Sequence, residues 1–387
     1  DYVLGQFSKT PVNKCKPLIR CLLRMGAYQI LFMDNIPDSA ACNEAVKLAV
    51  RRGFSGLKGF VNGVLRNVSR HKDEITWPDD STAFCLPQWI FSMWERQYGK
   101  EAARTMAESF LKERPLTVRM NLSLASREEI ADSLESQGVK VRESGFAEDV
   151  VFLSQVDYLE SLDAFLDGWI QVQDLSSSLA GDAAGVKEGD YVIDVCGAPG
   201  GKSLHIAELL HGTGMVEVRD LTEKKIALVE DNIWRSGFSN IEARVQDATE
   251  FDPDAQEKAD LLIADLPCSG LGIIGRKPDI RYNVTKEQTR ELAKLQREIL
   301  SVVWRYVKPG GTMVFSTCTV DPAENEENVR WILSQLPFEP VDLTDRIGDA
   351  LAETLLEDTR KKGYVQLLPG FYPGDGFFIS VFRRKEE

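Results

Sequence analysis

Two cysteines of this chain stand where thiols can react. "DLPCSG" places Cys268 just after the apolar run "LLIAD", and "STCT" places Cys318 just after "TMVF". If both runs are strands of one parallel sheet, both sulfurs leave the same edge of it, beside Asp265, which ends the first run. The plainer reading is a pair of small core residues, since unbonded cysteine is often buried. A third feature belongs to the same edge. In "DVCGAPGGKS", residues 194–203, a strand runs through Gly197, Pro199, Gly200 and Gly201 into Lys202 and a helix. The loop misses the triphosphate-binding pattern because Cys196 occupies the place of its first glycine.

The later strands bear on what such a loop holds. Each ends in an acid: Asp220 after "VEVR", Asp247 after "EARVQ", Asp265 after "LLIA". A carboxylate about 20 residues beyond a glycine-rich loop is the usual partner of ribose hydroxyls, and Asp220 has that spacing. Three carboxylates without balancing cations disfavour a triphosphate and favour an adenosine lacking phosphates. S-adenosylmethionine fits. The residues expected to hold it are Cys196, Gly197, Ala198, Pro199, Gly200, Gly201, Lys202, Asp220, Asp247 and Asp265. A nicotinamide cofactor could use the same geometry, but G-x-G-x-x-G is absent.

Two thiols beside a methyl donor suit one reaction well. Carbon 5 of a pyrimidine is a poor nucleophile, and adding a thiolate to carbon 6 turns the ring into an enamine that attacks through carbon 5. A base then removes the carbon 5 proton and the thiol leaves. Asp265 is the candidate partner for ring nitrogen 3. An ordinary thiol, with pKa about 8.5, needs a local push to ionise. Spacing alone does not say which cysteine attacks.

The rest of the chain must position these groups. Its 387 residues are enough for two or three domains, and 43% apolar with 27% charged residues is ordinary for a globular protein. Seven dispersed cysteines predict reduced thiols and a cytoplasmic protein. With no C-x-x-C and only His71, His205 and His211, no metal site is expected. No apolar run reaches a membrane-spanning length of about 18 residues. The first residue, Asp1, is not Met, so a native start upstream is expected. The net charge of −14 is uneven: residues 1–78 hold twelve Lys/Arg against six Asp/Glu. That basic segment hints at a nucleic-acid-facing module, although a solvated helical surface has the same composition.

Residues 16–75 read as helices, with Leu18, Leu22, Leu23, Met25, Tyr28, Leu31 and Phe32 at helical spacing. A further helical stretch covers 87–113. "LTVRMN", "SREEIADSLESQG" and "VKVRES" then form a small α+β unit, and strands alternate with helices from Gly168 onward. The expected division is 1–78, 79–170 and 171–387.

The stretches "QVQDLSSSLAG", "DVCGAPGGKS", "DLPCSGLGIIGRKPDIRYN", "STCTVDPAENEENV" and "GDGFFIS" resemble the Sun/Fmu/RsmB family of bacterial RNA cytosine-carbon-5 methyltransferases. The segment "LRMGAYQILFMDNIP" with "GFVNGVLRNVSR" resembles the NusB-like RNA-binding domain of one branch, and its late start relative to that branch implies that a first helix or two are missing. The resemblance implies an α/β, class I (Rossmann-like) S-adenosylmethionine-dependent methyltransferase domain, preceded by an all-α NusB-like domain and a small RRM-like α+β unit. It implies Cys318 as nucleophile, Cys268 as the thiol needed for product release, and small-subunit (16S) ribosomal RNA as substrate. Arg276, Lys277 and Arg281 are expected to hold RNA phosphates. The family often has alanine at 197 and a second arginine at 275, where this chain has glycine. Open alternatives are a tRNA or another rRNA site, an inactive ribosome assembly factor, a P-loop NTPase, and a DNA cytosine methyltransferase using the Pro-Cys thiol.

Overall fold

The structure, a computed structural model, describes residues 1–386 and divides into two compact units at Asp79/Asp80. The first unit is helical: Tyr2–Phe7, Pro17–Phe32, Asp38–Arg51 and Lys58–Arg70. Pro17 opens its helix at a position where no backbone donor is needed. Ile19, Leu22, Leu23, Ala27 and Ile30 face Ala45, Ala49, Val61, Leu65 and Val68 in one core. Gly26 permits the contact, since a Cβ there would stand 2.6 Å from Leu65 Cδ1. Met25, Tyr28 and Phe32, which share the helical spacing of the apolar residues, are exposed. The helix carries apolar residues all round, so periodicity could not separate its faces.

After a short helix, Asp80–Ala83, the second unit has two helices, Gln88–Tyr98 and Lys100–Ser109, where one stretch was expected; Gly99 at φ 85° breaks them. Next comes a four-stranded antiparallel sheet of β1 (Leu116–Met120), β2 (Lys140–Glu143), β3 (Val150–Ser154) and β4 (Ile170–Val172), in the order β2-β3-β1-β4. Its helix, Arg127–Ser136, starts at Ser126 with a capping box closed by Glu129. β4 pairs with β1, so this sheet runs past the expected boundary at 170.

The large sheet comprises β5 (Tyr191–Asp194), β6 (Met215–Asp220), β7 (Ile241–Val245), β8 (Ala259–Asp265), β9 (Val307–Thr317), β10 (Phe338–Pro340), β11 (Tyr364–Leu367) and β12 (Phe377–Arg384). The order is β10-β12-β9-β8-β5-β6-β7, with β11 on β12. β5 to β9 run parallel to one another and β12 is antiparallel to β9. Alternate residues enter two cores: Val192, Ile263 and Val314 on one face, Ile193, Ala264 and Phe315 on the other. Both faces are therefore covered, as parallel sheets require. The strand order turns at β5, and all five parallel strands finish at one edge, where ligands of such sheets bind. Among the described residues no helix is long and apolar enough to cross a membrane.

Candidate active site

The glycine loop leaves β5 at this turning point. Gly197 N donates to Arg219 O at 2.9 Å, and a Cβ at 197 would meet Val218 Cγ1 at 2.5 Å and Asp194 Oδ2 at 2.8 Å. Gly200, at φ 107°, turns the chain into the helix Gly201–Leu209. Under the loop lies Asp194, buried and accepting a hydrogen bond from Ser203 Oγ at 2.5 Å. Burial pushes its carboxyl up to about 7. Burial also pushes the Cys196 thiol up, and the Asp194 and Asp220 charges add to the effect.

Asp220 anchors the loop as well as facing it. Its Oδ2 accepts from Ala198 N at 3.1 Å, and its Oδ1 from Leu221 N at 2.7 Å and Lys225 Nζ at 2.8 Å. Asp247 Oδ1 accepts from Thr249 N at 2.8 Å and Thr249 Oγ1 at 2.7 Å. The donor set fits an adenosine-type ligand. Adjacent strand ends carry carboxylates able to accept from hydroxyls and an amine, and the loop before a helix N-terminus carries no side chain at 197, 200 or 201.

The sheet brings the two sulfurs together. Cys268 Sγ and Cys318 Sγ lie 3.3 Å apart and are both free thiols. The parallel register of β8 on β9 sets Asp265 opposite Ser316, which delivers both following loops to one place. Asp265 Oδ1 accepts from Ser316 Oγ and its Oδ2 from Lys202 Nζ, each at 2.7 Å. Lys202 thus reaches from the glycine loop to Asp265, and it lies over the Phe377 ring at 5.1 Å. Burial alone would depress the ammonium, but Asp265 more than offsets this and raises its pKa. Beside Cys268 opens a cleft of about 370 Å³ lined by Asn283, Val284, Gln288, Glu291, Leu292 and Leu295.

Sequence reading missed the clamp behind the thiols. Glu324 Oε2 accepts from Ser269 N at 2.9 Å and from Gln296 Nε2 at 3.1 Å. Asn325 accepts from Thr317 Oγ1 at 2.5 Å and donates to Thr319 O at 3.0 Å, gripping both neighbours of Cys318. Glu324, Asn325, Gln296 and Asn328 are all fully buried. The available signal was Gln296, a polar residue on the apolar stripe of the helix Lys286–Val303.

Of the three expected phosphate contacts, one needs correction. Arg281 is buried and donates to Cys85 O at 3.2 Å. Arg276 is exposed but already engaged: its guanidinium meets Asp375 at 2.5 Å, Asp174 at 2.9 Å and Thr117 Oγ1 at 3.1 Å. Lys277 is exposed. Beside Gly275, Arg114 arrives from elsewhere in the chain: a Cβ at Gly275 would meet its Nε at 2.6 Å, and it also pairs with Asp375.

A doubly wound sheet with a nucleoside loop at its turning point defines the class, an S-adenosylmethionine-dependent methyltransferase. Comparison with known proteins narrows it. Residues 184–383 match the 16S rRNA methyltransferase RsmB/F profile, residues 1–70 the NusB family, and residues 86–157 the ferredoxin-like domain of RsmF/B-like methyltransferases. The probable ribosomal RNA small subunit methyltransferase B of Bacillus subtilis is 38% identical over 100% of this chain and 87% of its own length. The ribosomal RNA small subunit methyltransferase B of an Enterobacter species is 31% identical over 98% of this chain and 86% of its own. Among solved structures, a methyltransferase homolog from Pyrococcus horikoshii is 26% identical, with TM-score 0.66 over 80% of this chain and all of that one. NSun6 of the same organism, at 21% identity and TM-score 0.69 over 78% of this chain and 98% of its own, shares the fold. The chain belongs to the RsmB/F family of 16S rRNA methyltransferases.

Proposed function

We propose that this protein methylates carbon 5 of a cytosine in small-subunit ribosomal RNA through a covalent bond between Cys318 and carbon 6. S-adenosylmethionine, held by the loop 196–202 with Asp220 and Asp247, supplies an electrophilic methyl group. The chain's own groups do the rest. Cys318 adds to carbon 6 as a thiolate, and Asp265, with 29% of its side chain exposed, delivers a proton to ring nitrogen 3, which carries none in neutral cytosine, then accepts from the N–H so formed and takes the proton back when the thiol leaves. Lys202 and Ser316 hold that carboxylate in place. Once carbon 5 carries its methyl group, a base takes the carbon 5 proton. The carbon–sulfur bond breaks as the double bond reforms, and Cys268 assists the release.

The observation that supports this reading is the 3.3 Å approach of two free thiols beside Asp265, at the sheet edge that carries the nucleoside loop. The cleft next to Cys268 offers room for a nucleotide leaving its stack, as chemistry on a base requires. Lys277 and the basic helical unit are the proposed phosphate contacts. Bisulfite mapping of rRNA from cells with and without the gene tests the site of methylation. Separate Cys268→Ala and Cys318→Ala proteins test the roles. The first should accumulate an RNA adduct and the second should form none; the opposite pattern reverses the two cysteines.

A further inference from the structure

The two sulfurs are close enough to share a proton, but their surroundings are unequal. Cys268 faces Cys318, Glu324 and Asp265, with no cation among them. Cys318 stands within the electrostatic reach of the Lys202 ammonium. Glu324 is fully buried, its Oε2 is bound by Ser269 N and Gln296, and its Oε1 has no partner among the described residues. Ser269 is the residue after Cys268, so the carboxyl grips the very segment that carries that thiol. Its other charged neighbour, Asp321, is of the same sign.

We propose that Glu324 is the positioning residue that makes the two thiols unequal, keeping the proton on Cys268 and leaving Cys318 as the sulfur that attacks. A thiolate at Cys268 would meet Glu324 across a buried loop, whereas one at Cys318 is offset by Lys202. The Cys268 S–H therefore donates to Cys318, the sulfur that attacks. Burial holds Glu324 up to about 7, so above that pH it carries the charge that opposes ionisation of its neighbour. Consistently, the Cys268 thiol is pushed well up, by the hydrogen bond to Cys318 and by burial first, with Glu324 and Asp265 adding. The assignment of roles rests on the covalent mechanism proposed above; the unequal thiols do not.

The test uses the full chain without RNA. Iodoacetamide is added across pH 6.5–10, and early alkylation of each cysteine is read by peptide mass spectrometry. Cys318 should be alkylated first at every pH in the wild-type protein. In Glu324→Gln the midpoint for Cys268 should fall by about one pH unit, close to tenfold faster alkylation at pH 8, while the Cys318 rate changes less than twofold. Loosened packing alone would speed both and leave the Cys268 midpoint in place. Glu324→Asp, which keeps the charge, should retain the wild-type order. The proposal is overturned by an unmoved Cys268 midpoint in Glu324→Gln. Should that variant not fold, Cys268 alkylated ahead of Cys318 in the wild-type protein overturns it. Because no RNA is present, failure to methylate cytosine leaves this result standing, and the reverse also holds.

Discussion

Replacing Arg276 with alanine separates a structural arginine from an RNA contact. Its guanidinium spans Asp375 and Asp174 at 2.5 and 2.9 Å and also reaches Thr117 on β1, so it ties the small sheet to the large domain. Asp375 is the vulnerable partner. Its side chain is 3% exposed, and burial together with Asp174 already pushes it up to about 6 against the pull of Arg276 and Arg114. Removing one partner of a buried ion pair costs about 3–5 kcal/mol. Arg276 is 29% exposed and Arg114 still pairs with Asp375, so a loss of about 2–3 kcal/mol is expected after allowing for solvent screening. For a unit of this size that corresponds to a fall in melting temperature of about 3–5 °C. Tryptophan fluorescence is a suitable assay, because six of the seven tryptophans, all but Trp77, lie beyond residue 80. Arg276→Lys should recover little, since an ammonium cannot reproduce the planar fork. An unchanged midpoint, with the salt dependence of RNA binding weakened by about one ion, would refute the reasoning and make Arg276 a phosphate contact.

Other outcomes follow from the same geometry. Gly197→Ala should destabilise the protein by about 1–3 kcal/mol through overpacking and weaken S-adenosylmethionine binding; adding Val218→Ala should restore only part of both, because Asp194 Oδ2 also stands 2.8 Å from the added carbon, as calorimetry and a melting curve would show. Lys277→Ala should leave stability unchanged and lower the salt slope of RNA binding by about one. Asp194, Asp182 and Glu324 are pushed up to about 7 and Asp375 to about 6, by burial in each case, so the folded state binds these protons more tightly than the unfolded state. Their stabilisation is lost as pH rises through those values, whereas buried His205, pushed well below its usual value, opposes them only as pH falls below about 6.5. The melting temperature should therefore be higher at pH 6.5 than at pH 8.5, and Asp194→Asn should flatten that difference.

The architecture was legible where local signals and packing agree. "YVIDV" and "LLIAD" are continuous apolar runs because both faces of their strands are covered, and each stops where the chain turns out at the sheet edge. Acids at the strand ends and glycines in the first loop are properties of single positions, so they could be read directly. Ion pairs between distant segments could not. Arg276 and Arg281 looked like surface cations because they sit in a loop rich in Lys, Arg, Pro and Asp. Asp375 and Asp174 lie 99 and 102 residues away, and nothing local announces that they converge on Arg276. β4 was hidden similarly: three residues, Ile170–Val172, become a strand only because β1 is there to pair with them.

The site shows the same division one layer further in. Reactive residues declare themselves by type: two cysteines, one aspartate and a glycine loop. Supporting residues declare themselves only by where they are buried. Glu324 and Asn325 sit within a run of seven residues, 321–327, that holds four acids, yet both are fully buried and grip opposite loops, Glu324 the Cys268 side and Asn325 the Cys318 side. Two consecutive residues thus connect both thiol-bearing segments. A shift of this turn changes the 3.3 Å approach itself, so the geometry of the thiol pair is set by a segment that supplies no reacting atom.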